Sequence, residues 1–220
     1  METHTTEEQQ IENLKNWWKE NGGSIVTGVV LGLAILFGAK AWFAYQAREA
    51  ETASNLYAVM LAGLQHDDAR AVADKAGVLI SDFSSTPYAA LAALALAKLK
   101  IEADELDAAQ AELQWAIDHA RSDMIRDTAR VRLVRVLIAK GDLDAARGVL
   151  EQQPAGNGFE AIFAELRGDI HLADGEVAQA EAAYRQALAG MEPDSPGHRL
   201  LQLKYDSTRT VTAATEGSSP

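Results

Sequence analysis

The sequence predicts an all-α protein in which one transmembrane helix precedes a stack of helical hairpins. An apolar run from Ile25 to Ala39 carries no charge. Beyond residue 46, apolar residues recur at helical spacing in one segment after another. Three later stretches share the same order of turn, acidic, small and large apolar residues. These observations predict four regions: an N-terminal segment with a short amphipathic helix, a membrane span, a helical-repeat domain and a disordered tail, over residues 1–23, 24–45, 46–206 and 207–220.

Composition narrows the possible functions. The chain of 220 residues has a formal net charge of -12, and only five of its 32 acidic residues lie before Gln46. A domain this acidic repels phosphate backbones, so we expect no nucleic-acid partner. The chain has no cysteine, which excludes disulfides, thiol nucleophiles and cysteine-ligated metals.

Ahead of the span, Trp17 and Trp18 share one side of a short predicted helix with Ile11 and Leu14. We expect this helix to lie at the membrane surface, where the two tryptophans act as interfacial anchors. The Asn-Gly-Gly sequence at residues 21–23 is expected to end it before the span begins.

The predicted span runs from Ser24 to Tyr45. About 20 helical residues, each rising about 1.5 Å, cover the roughly 30 Å hydrocarbon core of a bilayer. Lys40 is expected to extend its ammonium group to the lipid headgroups, and Trp42 to anchor the same end of the helix at the interface.

A cleaved signal peptide is the alternative to this span, because residues 39–41 (Ala-Lys-Ala) have the small-x-small form that a signal peptidase cleaves. The region before the span is long and net acidic, whereas a signal peptide begins short and basic. The aromatic residues after Lys40 are also typical of a helix that stays in the membrane. These features favour a retained anchor.

Basic residues do not decide the orientation of the span. Lys15 and Lys19 precede it, while Lys40 and Arg48 follow it. A short N-terminal tail usually stays in the cytoplasm, and a long domain can be translocated regardless of its charge. We therefore expect the N-terminus to be cytoplasmic and the C-terminal domain to lie outside.

Within the span, Gly28 and Gly32 form a G-x-x-x-G pair on one helix face. Such a face lets a second helix approach closely, because association in lipid depends on packing of the backbones. Glycine is also common in membrane helices that have no partner, so both explanations stay open.

The region after the span reads as helix after helix. Pro87 follows Ser-Ser-Thr at a position where a first helical turn accepts proline. The predicted helices are Gln46–Gln65, Asp68–Asp82, Pro87–Ile101, Glu105–Ala120, Met124–Lys140, Asp142–Gln152, Phe159–Leu172, Glu176–Gly190 and Gly197–Tyr205.

Three of the predicted hairpins are copies of one unit. A turn residue is followed by an acid, then by alanine five residues after the turn residue and by a large apolar residue four further on. The turn residues are 37 and then 34 residues apart, close to the 34-residue tetratricopeptide period. Small alanines let the two helices of a hairpin touch. The pattern predicts a tetratricopeptide-like solenoid, with copies at Asp104, Glu105, Ala109 and Leu113; at Gly141, Asp142, Ala146 and Leu150; and at Gly175, Glu176, Ala180 and Tyr184.

No motif in the chain indicates catalysis. The five histidines are scattered without metal-ligand spacing, and His171 on a predicted helix is expected to be packed or hydrogen-bonded. There is no G-x-S-x-G, phosphate-binding loop or dinucleotide fingerprint. Acidic pairs such as Asp104 and Glu105 fall at helix starts, where they cap helices. We therefore expect no enzyme, no cofactor and no metal site.

A basic cluster in the otherwise acidic domain allows two interpretations. Residues 121–140 contain six basic side chains, of which Arg126 and Arg130 share a helix side. Surface ion pairs with Asp123 and Asp127 are the more common arrangement for such residues. The other interpretation is a docking patch for an acidic partner, formed by Arg126 and Arg130.

Several stretches of the chain resemble the YfgM family of bacterial inner-membrane proteins, the ancillary subunits of the SecYEG translocon. They are QQIENLKNWWKENG ahead of a glycine-containing span that ends in Lys-Ala-Trp, LRGDIHLADGEVAQAEAAYRQAL at residues 166–188, and LLQLKYD at residues 200–206. The resemblance therefore covers about residues 8–206.

This resemblance implies a single-span inner-membrane protein with a cytoplasmic N-terminus and a periplasmic tetratricopeptide-like domain. It also implies association with the SecYEG translocon and with the periplasmic chaperone PpiD, to which secreted chains are handed. It brings no catalytic residues. The sequence therefore predicts a membrane-tethered interaction protein. A scaffold of envelope or cell-division assembly with the same fold is the first rival hypothesis, and an enzyme with an unrecognised site is the second.

Overall fold

The computed structural model describes residues 7–152 and 158–216, with side chains described for residues 9–152 and 158–210. Every regular element in these ranges is an α-helix. The helices are α1 (Glu7–Gln65), α2 (Ala69–Asp82), α3 (Pro87–Glu102), α4 (Leu106–His119), α5 (Asp123–Lys140), α6 (Leu143–Glu151), α7 (Glu160–Ala173), α8 (Val177–Ala189) and α9 (His198–Glu216).

The chain divides into two compact units, Met1–Glu51 and Thr52–Pro220. In the first unit, α1 is the one helix among the described residues that is long and apolar enough to cross a membrane, with a mean hydropathy of 2.0 over its most apolar 18 residues. Over residues 9–51 almost all side chains are exposed, as expected for a helix whose apolar surface faces lipid.

The predicted break at residues 21–23 is wrong, and so is the predicted helix start at Gln46, because α1 is continuous. Asn21 donates its side-chain amide to the carbonyl of Trp17 at 3.0 Å, and the hydroxyl of Thr27 donates to the carbonyl of Gly23 at 2.8 Å. Gly22 lies beneath the indole of Trp18, which a larger side chain would crowd. Each glycine destabilises a helix by about 1 kcal/mol relative to alanine, which is too little to end the helix by itself.

In the second unit, the remaining predicted helices are present, most of them with bounds within one or two residues of the prediction. Each helix from α2 through α9 packs against the next, and α5 also contacts α3 and α7. The alanines and large residues of the repeat fill the interior as predicted. The fully or almost fully buried ones are Ala109, Leu113, Ala146, Leu150, Ala180 and Tyr184.

The three predicted turn residues adopt left-handed backbone conformations. Asp104, Gly141 and Gly175 have φ angles of 60°, 78° and 80°. In each turn the next residue donates its amide to the carbonyl five residues earlier, at 2.8, 2.9 and 2.8 Å. This is the hydrogen-bonding pattern that closes a helix through a left-handed residue, and it explains the choice of glycine at two of the three positions.

A fourth copy of the turn escaped the sequence pattern. Asp67 has a φ of 54°, and Asp68 donates its amide to the carbonyl of Gly63 at 2.9 Å. The last turns of α1 and helix α2 therefore form another hairpin. The pattern missed it because Val72 stands at the position that alanine occupies in the other copies.

The left-handed turns give a prediction for stability. Gly175→Ala is expected to lower the free energy of unfolding by about 1 kcal/mol, because alanine resists a positive φ. Asp104→Gly is expected to leave it unchanged or raise it by a few tenths of a kcal/mol, since glycine relieves the same strain. Urea unfolding of the full-length protein in detergent micelles, followed by circular dichroism, measures both. Equal effects of the two substitutions on the free energy of unfolding would contradict the left-handed backbone conformation of these turn residues.

The predicted disordered tail is wrong in its first part, because α9 continues past Asp206 to Glu216. Thr208 is buried. The hydroxyls of Ser207, Thr208 and Thr210 each donate to a carbonyl three residues earlier, at 2.7, 2.7 and 2.8 Å. These bonds satisfy the hydroxyl groups within the helix. Residues 1–6, 153–157 and 217–220 lie outside the described residues.

Candidate interaction surfaces

The glycine face of α1 is open. A Cβ atom added at Gly28 or Gly32 would meet nothing within 4 Å. Both residues lie on the exposed surface of a single continuous helix. The backbone is therefore accessible to a second helix at this point, and the helix-packing role stays a prediction.

The predicted interfacial anchors are exposed on the same helix. Trp17, Trp18 and Trp42 each expose more than half of their surface, and Lys40 is exposed as well. The ring of Trp42 lies 6.4 Å from that of Tyr45, measured between centroids. Exposed indoles of this kind suit a headgroup region, where one edge is apolar and the other polar. Their contact with lipid stays a prediction.

The two arginines of the basic cluster are both paired within α5. Arg126 contacts Asp123 and also donates to the carbonyl of Ala120. Arg130 donates to Asp127 at 2.8 Å, and the side chain of Arg130 is only 13% exposed while that of Asp127 is fully buried. Both arginines are thus ion-paired as expected, but the pair of Arg130 and Asp127 is buried and does not lie on the surface. Docking of an acidic partner by Arg126 and Arg130 stays a prediction.

A groove between α6 and α7 is a concave site of the second unit, with a volume of about 420 Å³. Its apolar floor is formed by Leu150 of α6 and Ile170 of α7, both almost fully buried. Charged and polar side chains surround this floor: Arg147, Glu151, Arg167 and His171. We call this site the α6/α7 groove.

Two of the basic side chains in the α6/α7 groove are held by carboxylates. Arg147 donates to Asp144 at 2.9 Å and also pairs with Asp174 at the end of α7. The Nδ1 atom of His171 lies 2.6 Å from a carboxylate oxygen of Glu176. His171 is therefore hydrogen-bonded, as expected from the sequence. These pairs fix the groove walls.

Arg167 differs from the other basic residues of the groove. It is half-buried, and no hydrogen bond or ion pair joins it to another described residue. A guanidinium group offers five donors in a planar fork that matches a carboxylate. Arg167 is therefore available to an anionic group that enters the groove.

Sequence reasoning missed the α6/α7 groove. Arg147 and Arg167 belong to different hairpins, and a segment of the chain lies between them. One signal was present: Arg167 and His171 both precede the turn residue Gly175 on one side of α7, next to the apolar Ile170. Only packing of α6 against α7 brings Arg147 and Leu150 to that side.

A polar network joins α7, α8 and α9. Lys204 donates to Glu165 at 2.6 Å and to both carboxylate oxygens of Asp169 at 2.8 Å, while Tyr184 donates its hydroxyl to Asp169 at 2.8 Å. Burial raises the pKa of Tyr184, and the charge and hydrogen bond of Asp169 raise it further. The network attaches the last helix, which also inserts Leu201 among the buried alanines of α7 and α8.

Burial lowers the pKa of Lys204, but the hydrogen bonds and charges of Asp169 and Glu165 outweigh it, so that the pKa is raised above its ordinary value. The lysine is therefore a fixed cation. In the described part of the chain no cluster of histidine, aspartate and glutamate is arranged to hold a metal ion. The geometry is that of a packed helical scaffold.

Comparison with known proteins assigns this scaffold to a family. A model of the tetratricopeptide repeat-like domain matches residues 15–210. The chain is 35% identical to the ancillary SecYEG translocon subunit of Haemophilus influenzae, over 82% of this chain and 88% of that protein. The chain belongs to the ancillary SecYEG translocon subunit family, with a tetratricopeptide repeat-like domain.

Other members of the family match at similar levels. The ancillary SecYEG translocon subunit of Escherichia coli is 32% identical over 94% of this chain and 98% of its own length. That of Neisseria gonorrhoeae is 29% identical over 95% of this chain and 100% of its own length. The family membership and the all-α, tetratricopeptide-like fold with one apolar N-terminal helix are therefore confirmed.

Proposed function

We propose that this protein is a membrane-anchored interaction subunit of the SecYEG translocon. One observation carries the proposal: the match to the Escherichia coli ancillary SecYEG translocon subunit extends over 94% of this chain and 98% of that protein, so it includes the apolar helix as well as the repeats. A relative that shared only the repeats would say little about the membrane partner, since helical repeats serve many functions.

The finer parts of the proposal concern topology and partners. The N-terminus is cytoplasmic, the span lies in the bacterial inner membrane, and the repeat domain is periplasmic, where it passes secreted chains to a chaperone such as PpiD. The fold and the names of the relatives fit a non-catalytic adaptor. Its anchor raises the effective concentration of a weakly binding domain near the channel, so that modest contacts suffice.

Copurification tests the translocon partner and the glycine face together. The tagged full-length protein, extracted in mild detergent, is expected to recover SecYEG subunits. The double variant Gly28→Leu/Gly32→Leu is expected to recover about tenfold less, corresponding to about 1.4 kcal/mol of lost helix packing. Quantitative mass spectrometry of the eluates measures this.

Gly38→Leu is the matched control, because Gly38 is also a membrane-helix glycine with nothing within 4 Å of an added Cβ but lies off the predicted face. It is expected to keep normal recovery. Recovery of envelope-assembly or division proteins without any SecYEG subunit would overturn the proposed partner. Equal loss in the control would overturn the role of the Gly28 and Gly32 face.

Orientation can be tested with single cysteines, because the chain has none of its own. In intact cells a membrane-impermeant maleimide is expected to label Asp104→Cys and to leave Gln10→Cys unlabelled until the cells are lysed. The reverse pattern would overturn the cytoplasmic N-terminus. If the intact mass of the purified protein shows that the mature chain begins after Ala41, the retained membrane anchor is overturned.

A further inference from the structure

The α6/α7 groove combines a fixed apolar floor with Arg167, a cation that has no hydrogen bond or ion pair to another described residue. Leu150 and Ile170 are held in the core on their inner sides, so the floor does not need to form when a ligand arrives. A volume of about 420 Å³ is at the scale of small-ligand pockets and admits one or two large side chains. The groove is therefore suited to a short segment and not to a whole helix face.

The charges around the floor select the ligand. The charge of Arg147 is already opposed by Asp144 and Asp174, and the ring of His171 lies at hydrogen-bond distance from Glu176. These two residues therefore shape the groove and add little attraction for an anion. Arg167 has no partner among the described residues and is half-buried beside the floor. Partial desolvation strengthens its attraction for an anion over that of a fully exposed arginine.

Glu151, at the exposed rim of the α6/α7 groove, limits how many negative charges a ligand can carry. A ligand with several negative charges would be repelled there and by the acidic surface of the domain as a whole, which belongs to a chain of net charge -12. A ligand with a single carboxylate next to a large apolar side chain meets both the floor and Arg167 without that repulsion.

We propose that the α6/α7 groove binds a short peptide segment of a partner protein in which one acidic side chain stands next to a large apolar one, the carboxylate on Arg167 and the apolar side chain on Leu150 and Ile170. This inference deepens the proposed function, on which it rests for its biological setting, by naming the chemistry of the protein segment that is bound.

The test uses the full-length protein in lipid nanodiscs with labelled isoleucine and leucine methyl groups. Two capped octapeptides serve as probes, Gly-Ser-Leu-Asp-Phe-Leu-Ser-Gly and the same peptide with Asn in place of Asp. The acidic peptide is expected to shift the methyl signals of Ile170 and Leu150 and to bind about tenfold more tightly than its amide counterpart.

Matched arginine variants separate charge from structure. Arg167→Gln is expected to reduce the preference for the acidic peptide below about twofold while weak binding to the floor persists. Arg135→Gln, at an exposed arginine of α5, is expected to keep the full preference. Thermal unfolding confirms that both variants remain folded.

Several results would overturn the inference: equal affinity of the two peptides for the unsubstituted protein, shifts that spare Ile170, or no saturable binding of either peptide at several millimolar. Shifts of the same methyl groups on dimerisation without peptide would make a second copy of the chain the occupant. None of these measurements involves the translocon, so failed copurification and failed peptide binding are distinguishable.

Discussion

Gly168→Ala is expected to lower the free energy of unfolding of the repeat domain by about 3 kcal/mol, through overpacking of a close helix crossing. A Cβ atom at Gly168 would lie 2.5 Å from Cδ1 and 3.0 Å from Cζ of Tyr184. The ring cannot move aside easily, because it is fully buried and its hydroxyl is fixed by the hydrogen bond to Asp169. Either α7 and α8 separate or the tyrosine leaves its site.

Gly77→Ala is the matched control for Gly168→Ala. Gly77 lies within helix α2, and a Cβ atom there would meet nothing within 4 Å. Alanine should therefore raise the free energy of unfolding by about 0.5–1 kcal/mol through its higher helix propensity. Urea unfolding of both full-length variants in micelles measures the difference. Similar stability of the two variants would show that α7 and α8 do not approach each other this closely.

The same crossing shows why so much of the repeat domain could be predicted. The hairpin turn, the alanine and the large residue occur at fixed offsets because each performs a local geometric task, and Gly168 falls where the large residue of the facing helix needs space. Helix termini followed from the same logic, since the acid after each turn starts the next helix. Asp68 and Asp142 accept amide hydrogen bonds at 3.0 and 3.3 Å. Glu105 and Glu176 stand at the same position but make no capping hydrogen bond with their side chains, so the expected cap by Glu105 is wrong.

The failed predictions share a different cause. The breaks predicted at the Asn-Gly-Gly sequence and at the polar end of α9 rest on residue propensity alone, and in both places the helix continues with side-chain hydrogen bonds to its own backbone. Propensity differences of this size are weak compared with such contacts. For the α6/α7 groove the sequence places only Arg167 and His171 together on α7, because the two walls come from different hairpins and meet only through packing.

Lys204→Met is expected to lower the free energy of unfolding by about 3 kcal/mol, because it leaves two largely buried carboxylates without their cation. The side chains of Lys204, Glu165 and Asp169 are 26%, 10% and 19% exposed, so water replaces the ammonium group only in part. The last helix is expected to become the first to unfold, detected by faster hydrogen exchange of α9 amides.

Lys98→Met serves as the control for a charge removed at the surface. Lys98 pairs with Glu102 at 3.4 Å, but both side chains are more than half exposed. Its removal should change stability by less than about 0.5 kcal/mol. If Lys204→Met were equally mild, the network would not be what attaches α9. Adding Glu165→Gln and Asp169→Asn to Lys204→Met is expected to recover part of the loss, because no uncompensated charge then remains.

The raised pKa of Lys204 predicts how the stability difference between the unsubstituted protein and Lys204→Met depends on pH. A raised pKa means that the folded protein holds the lysine proton more tightly than the unfolded chain does. The contribution of Lys204 is therefore complete below the unfolded pKa of about 10.4 and is lost as pH rises through the higher folded value. The stability gap between the unsubstituted protein and Lys204→Met should stay constant from neutral pH to about pH 10 and narrow above it. A gap that narrows already near pH 8, with α9 still helical, would mean that the lysine is not held as a cation by Asp169 and Glu165.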